Sequence, residues 1–301
     1  MRFNFQFVEH RKTFYIISST IAVIGILSLL IFGFNLGVDF KSGTRLDIYI
    51  GKAFTSEEIK SILTELKLEA SSIRTAGTQN EIAVLQFNGL IDSNMLPQIK
   101  DAFRAKYGEK VDLTESKVDP VVGRELAKKA FYAVLLASLG IIIYVAFRFE
   151  YRFAITAIIA LLHDAFFVIT IFSIFHLEVD LPFIAAILTI IGYSINDTIV
   201  IFDRIRDNLK ITKSKRKDLA QIVNLSLNQT LGRSINTVLT VIVAALALFL
   251  LGSEGIRNFS LALLLGLVSG AYSSIFIASQ LWYDWKEWDK KRKRYAPQAN
   301  S

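Results

Sequence analysis

Cysteine is absent from the 301 residues, and proline is scarce, with 4 in the whole chain. Without Cys there is no disulfide framework, no thiolate metal site and no Cys nucleophile. No GxxxxGK[ST] phosphate loop occurs, so the chain is not expected to hydrolyse ATP; energy has to come from an ion gradient or a partner. Charge is thin as well. Asp, Glu, Lys and Arg make up 20%, below the usual quarter or so, and long stretches carry almost none. What is present is apolar: 52% hydrophobic residues, with 23 Phe. That distribution excludes an evenly amphipathic soluble globule and describes membrane spans separated by polar loops. The net charge of +7 suits nucleic acid or the cytoplasmic loops of a membrane protein; the second is the default here.

Six apolar stretches approach or exceed the ~20 residues needed to cross a ~30 Å hydrocarbon core. They are 14–34, 130–147, 153–175, 181–202, 234–251 and 259–283. The first follows Arg11 and Lys12 but is too long for a signal-peptide core, and Gly33-Phe34-Asn35 is a poor cleavage site, so it reads as an uncleaved anchor. The expected organisation is a short N-terminus (1–13), the first span, an external domain (35–129), a five-helix bundle (130–283) with an amphipathic connection at 203–233, and a basic tail (284–301). Arg148, Arg152, Arg204, Arg206, Lys210, Lys213, Lys215, Arg216, Lys217, Arg233 and the run Lys290–Arg294 fall on one side of this map. Positive-inside then predicts both termini in the cytoplasm and the domain outside. The basic tail suits anionic lipid or a cytoplasmic interface before nucleic acid.

Within 35–129, Leu46–Ile50 alternates like a strand. Thr55-Ser56-Glu57-Glu58 fits a capping box opening a helix that carries Ile59, Ile62, Leu63 and Leu66. Ser71–Thr75 is a weak strand, Gly77–Asn80 a turn and Glu81–Phe87 a better strand. A second helix is expected from Asp92 or Ser93 to a C-cap at Gly108, with Pro97 in its first turn. Val111–Val118 makes a last strand. The order βαββαβ predicts a ferredoxin-like α+β domain, a fold that by itself says little about function.

The fourth span carries Asp197 inside its apolar length. A carboxylate there costs at least a few kcal/mol and must face protein or water. It is either a proton relay or a structural polar group satisfied by neighbouring helices. Thr189, Tyr193, Asn196 and Asp197 share a face, and the fifth span opens with Arg233, Asn236, Thr237 and Thr240 at helical spacing. Asp197 is roughly 7.5 Å above the cytoplasmic end of its span, at a depth similar to Thr237, so the two stripes can face each other. Arg233 is then either a partner biasing Asp197 or a snorkelling cytoplasmic Arg. His163 and Asp164, halfway along the third span, point about 100° apart and are not expected to form a simple mutual ion pair; they read as polar packing or as a secondary part of a proton route. Gly266-xxx-Gly270 in the sixth span permits close helix approach. Leu219, Ile222, Val223 and Leu227 mark an amphipathic helix lying on the membrane or against the bundle.

Several long motifs in order, GVDFKSGT (Gly37–Thr44), YVAFRFEYR (Tyr144–Arg152), ALLHD (Ala160–Asp164), IGYSINDTIVIFDRIRDN (Ile191–Asn208) and LNQTLGRSINTVLT (Leu227–Thr240), resemble the SecD/SecF family of protein-export membrane proteins over nearly the whole chain. The resemblance implies the SecF half of a twelve-span unit of the resistance-nodulation-division permease superfamily, partnered by SecD, the SecYEG channel and YajC in a bacterial inner membrane. It implies no enzyme activity and no cofactor. The work implied is proton-motive-force-driven handling of preproteins on the periplasmic side. It assigns proton flow to Asp197, with Arg233 at the family's basic position and Gly37, Asp39 and Gly43 in a hinge motif. The chain departs from the family pattern twice, with Ser42-Gly43 in place of Gly-Gly and Asp119-Pro120 in place of Gly-Pro. The residues alone leave three classes open: an ion-driven transport subunit, a membrane scaffold, and a subunit of an efflux-type permease.

Overall fold

The computed structural model describes residues 5–77, 79–148, 150–212 and 218–295. Thr78 of the expected turn and Lys213, Lys215, Arg216 and Lys217 of the basic connection lie outside them. The chain enters through α1 (Arg11–Ile31), passes the two-residue strand β1 (Asn35–Leu36) and the short α2 (Val38–Lys41), and builds the α/β domain expected to be external. This comprises β2 (Gly43–Tyr49), α3 (Ser56–Glu65), β3 (Ser72–Ala76), β4 (Ile82–Phe87), α4 (Met95–Tyr107) and β5 (Asp112–Val118). Helices α5 (Pro120–Arg148) and α6 (Tyr151–Ile174) follow, then β6 (Glu178–Val179), α7 (Leu181–Thr212), α8 (Leu219–Leu251) and α9 (Glu254–Ser273). A five-residue π segment, Ser274–Ala278, joins α9 to α10 (Ser279–Tyr295). Among the described residues six helical stretches are long and apolar enough to cross a membrane, the last running through α9, the π segment and α10. The protein is a polytopic helical membrane protein.

The external sheet has strand order β3-β4-β2-β5, all antiparallel. Leu46, Ile48, Ala83, Leu85 and Phe87 pack one face against Ile59, Ile62 and Leu63 of α3 and Ile99 and Phe103 of α4. The capping box at Thr55 and Glu58 is formed, with both bonds at 3.3 Å. Helix α4 starts at Met95, later than its sequence suggests, because Asp92 instead holds a turn, accepting from Asn94 N–H through its side chain and from Met95 N–H through its carbonyl. Gly43 pairs with Val118, so the two connections to the membrane leave from one end of the sheet.

In the bundle the apolar stretches understate the helices. Helix α5 begins at Pro120, ten residues before the apolar run, with proline in the first turn where its missing N–H costs nothing. Asp119 Oδ1 accepts from Val121 N–H at 2.9 Å, the N-cap bond that the glycine of the family pattern cannot make. Of the two placements open to the amphipathic connection, on the membrane or against the bundle, the described residues take the second, as part of longer helices. Helix α7 runs on to Thr212 and α8 is continuous from Leu219. Its amphipathic start buries Ile222, Val223 and Leu227, and Asn208 of α7 donates to Ser226 and Gln229 there. Helices α7 and α9 form the centre. A Cβ on Gly266 would run into the Ile190 side chain, and one on Gly270 would meet Ser194 at 3.1 Å, so the two glycines let α9 lie directly on α7.

Candidate functional site: two buried carboxylates and a junction

Asp197 is 7% exposed, halfway along α7. Its Oδ1 accepts from the Ser234 hydroxyl of α8 at 2.5 Å. Its Oδ2 is buried and has no partner among the described residues. The carboxylate borders a gap of about 10 Å³ shared with Tyr193, Ser194, Thr237 and Gly270. The two stripes therefore meet at Asp197, Tyr193 and Thr237. The direct contact runs through Ser234 rather than Arg233, whose side chain is exposed and forms no ion pair with Asp197 among the described residues. Asn196, Asn236 and Thr240 are exposed on the open side of the same pair of helices. Sequence reasoning misses Ser234 because a lone serine beside a cation carries no periodic signal.

Asp164 is 1% exposed at the crossing of α6, α7 and α9. It accepts three hydroxyls: Ser194 at 2.6 Å and Ser273 at 2.8 Å on Oδ2, and Ser269 at 2.7 Å on Oδ1. His163 Nδ1 lies 3.3 Å from Oδ1. The neighbours do touch, contrary to the expectation from their 100° separation, because the imidazole is long enough to fold back. The ring of His163 also stacks against Tyr272, with centroids 5.8 Å apart.

The third constellation joins the external domain to α7. Strand β1 pairs in parallel with β6, and Gly37 N–H donates to the Val179 carbonyl. Asp39 Oδ2 accepts from Leu181 N–H at 2.9 Å, so the 37–43 segment caps the helix that carries Asp197. Glu178, 3% exposed, accepts from Arg74 at 3.1 Å and Gln86 at 2.5 Å and lies 3.7 Å from Arg45, three partners supplied by the external sheet. A Cβ on Gly37 would stand 2.5 Å from Glu178 Oε1, which accounts for glycine there. Asp180 accepts from Phe183 N–H and from Asn258. Burial pushes its carboxyl up to about 6; those two bonds oppose the shift, and the Glu178 and Asp39 charges add to it. Close by, Ser42 has φ 69° and ψ 162°, and Gly43 has φ 131°. A Cβ on Gly43 would strike the Phe87 carbonyl. None of the roles of Glu178, Arg45, Arg74 or Gln86 is visible in the sequence, since Gln86, Arg74 and Arg45 all lie more than ninety positions from Glu178.

Known proteins share the sequence pattern and the fold. The family profile "Protein export membrane protein SecD/SecF, C-terminal" matches residues 98–288, and "SecD/SecF GG Motif" matches 27–48. The chain belongs to the SecD/SecF family. It is 44% identical to the protein translocase subunit SecF of Alicyclobacillus acidocaldarius, covering 97% of this chain and 96% of that one. It is 50% identical to the protein translocase subunit SecDF of Bacillus subtilis over 96% of this chain, but spans only 39% of that longer protein. Among solved structures, the crystal structure of SecDF from Thermus thermophilus, described as a translocon-associated membrane protein, superposes with a TM-score of 0.85 at 33% identity, covering 95% of this chain and 39% of that one. A second SecDF crystal structure, in a super-membrane-facing form, gives 0.70 at 32% identity, covering 98% and 40%. In this SecD/SecF-family chain the GG-motif glycines fall on Ser42 and Gly43, both in backbone conformations that favour glycine.

Proposed function

We propose that the chain is the SecF-type accessory subunit of Sec-dependent protein export and uses a proton gradient to drive its external domain. The observation that carries this is the position of Asp197. It is a buried carboxylate with one oxygen unpartnered among the described residues, on a helix whose far end is held by Asp39 of the external segment. A change in its ionisation alters the cost of burying it, and any shift of α7 that answers is delivered to the sheet through Asp39 and Glu178. Arg233, one residue from Ser234, is the cation that biases the carboxylate in an alternative arrangement. A passive scaffold gives no reason to tie the carboxylate-bearing helix to the sheet, and the SecF relatives favour protein export over efflux.

The partner reading follows from exposure. Asn196, Arg233, Asn236 and Thr240 are polar groups on an open face of two membrane-spanning helices, where hydrocarbon is a poor neighbour. A SecD-type half covers them in this reading, supported by the Bacillus relative, a SecDF protein in which this chain matches 39% of the length. The Thermus SecDF is a translocon-associated protein, which supports association with the SecYEG channel; YajC rests on the family resemblance alone. The strand order β3-β4-β2-β5 supports a ferredoxin-like external domain, and the Lys and Arg distribution supports a periplasmic placement with both termini in the cytoplasm of a bacterial inner membrane.

The test is export into inverted vesicles containing this chain and its SecD-type partner, with and without a proton gradient. Asp197→Asn keeps the size and removes the titration; it is expected to assemble normally and to abolish gradient-dependent export. Asp197→Glu retains part of the activity and Arg233→Lys is intermediate, since charge survives without the planar geometry. Normal gradient-driven export by Asp197→Asn at normal abundance sinks the proposal.

A further inference from the structure

Asp164 plays no part in that reading, yet the structure builds more around it than around Asp197. Three serines from two other helices donate to its carboxylate. One of them, Ser194, also lines the gap beside Asp197. Ser194 sits three residues before Asp197 on α7, so Asp164 lies about 4.5 Å, nearly one turn, nearer the external domain. The gap of about 10 Å³ is near the lower limit for one water, and Asp197 Oδ2 is a buried acceptor without a partner among the described residues.

We propose that Asp164 is a second proton-carrying carboxylate, exchanging its proton with Asp197 through Ser194 and one water in the gap. The proposal rests on the proton role of Asp197 and extends it toward the side of the external domain. The exchange balances simply. A proton leaves Asp164 Oδ2 for Ser194 Oγ, the serine passes its own proton to the water, and the water passes one to Asp197 Oδ2. Asp164 ends as carboxylate and Asp197 as acid, with serine and water unchanged.

The chemistry of the cage suits this. A hydroxyl both donates and accepts, so a serine can turn from donor to acceptor when Asp164 gains a proton. Ser273 already has a second acceptor, the Gly270 carbonyl at 3.3 Å. As found, the three serines donate and favour the carboxylate, but unlike a Lys or Arg each hydroxyl can turn to accept when Asp164 takes up a proton. The titratable groups around it are His163 on its own helix, Tyr272 on α9 and Asp197 on α7. A purely structural carboxylate would need its three donors but no link to the gap.

The experiment is infrared difference spectroscopy on the full chain with its SecD-type partner in proteoliposomes, comparing acidified and neutral samples, together with gradient-driven proton uptake by the same vesicles. Two carboxylic acid C=O bands are expected, one lost in Asp197→Asn and the other in Asp164→Asn. Asp164→Asn lowers proton uptake roughly 100-fold or more, as the loss of a positioned proton-transfer group does, and Asp164→Glu recovers part of it. If Asp164→Asn fails to assemble, Ser194→Ala decides, because it leaves both carboxylates and two serine donors in place; it is expected to keep both bands and slow uptake. A single band lost with Asp197→Asn, or unchanged uptake in Ser194→Ala, overturns the proposal and leaves the Asp197 reading standing. Unchanged uptake in Asp197→Asn overturns both, and gradient-driven export by that variant identifies the shared premise as the failure.

Discussion

Ser42 carries a backbone conformation that its side chain disfavours. Its φ of 69° with ψ of 162° belongs to a region that is essentially glycine's own, at a cost of order 1–3 kcal/mol for other residues. Ser42→Gly is therefore expected to raise the thermal midpoint of the purified protein, and a lowered midpoint would contradict the strained geometry. Asp180, one residue before α7, makes a pH prediction. Its carboxyl titrates at about 6 in the fold against an ordinary 3.8. Between those values the folded chain holds a proton that the unfolded chain releases, so stability falls as pH rises from about 4 to 6 and is flat above. The loss is on the order of 2–3 kcal/mol. Chemical denaturation across that window should show the slope in the parent and a flatter curve in Asp180→Asn; parallel curves would remove Asp180 as its source. Asp197 is legible in the sequence because a single acid stands out in an apolar run. The Glu178 cluster is not, because its charges look like ordinary loop polarity until the chain brings them together.

Among the elements, the contact between α9 and α7 is the most tightly specified. Gly266 lies against Ile190, which is 1% exposed and has nowhere to move. Gly266→Ala forces a Cβ into it and is expected to cost about 1–3 kcal/mol, the usual toll of overpacking. Ile190→Ala in the same chain makes room and should recover part of the loss; a double variant worse than either single one would show that the two do not share a contact. Helix existence and period are readable from the apolar runs, as are the capping box and the sequential order of the external domain's elements. Helix ends are not. The start of α5 is polar and capped by Asp119, and the start of α8 is held by burial of Ile222, Val223 and Leu227; a hydropathy pattern sees neither.

For the molecule as a whole, the basic residues predict the side of the membrane. Reporter fusions after Tyr107 and Gly252 should score outside and those after Lys213 and Lys290 inside; an inside score at Tyr107 would reverse the map. The external domain meets the bundle at a narrow place. The parallel ladder is only two residues wide on each strand, Asn35 against Glu178 and Leu36 against Val179, with the Asp39 cap and the Glu178 cluster beside it. A joint of that width has little torsional stiffness but resists extension, because a pull along the strands loads its hydrogen bonds together whereas a sideways pull opens them one at a time. Such a joint passes a displacement along the strands on to Leu181 at the start of α7 and lets a rotation of the sheet die away: it works as a swivel, not as a crank.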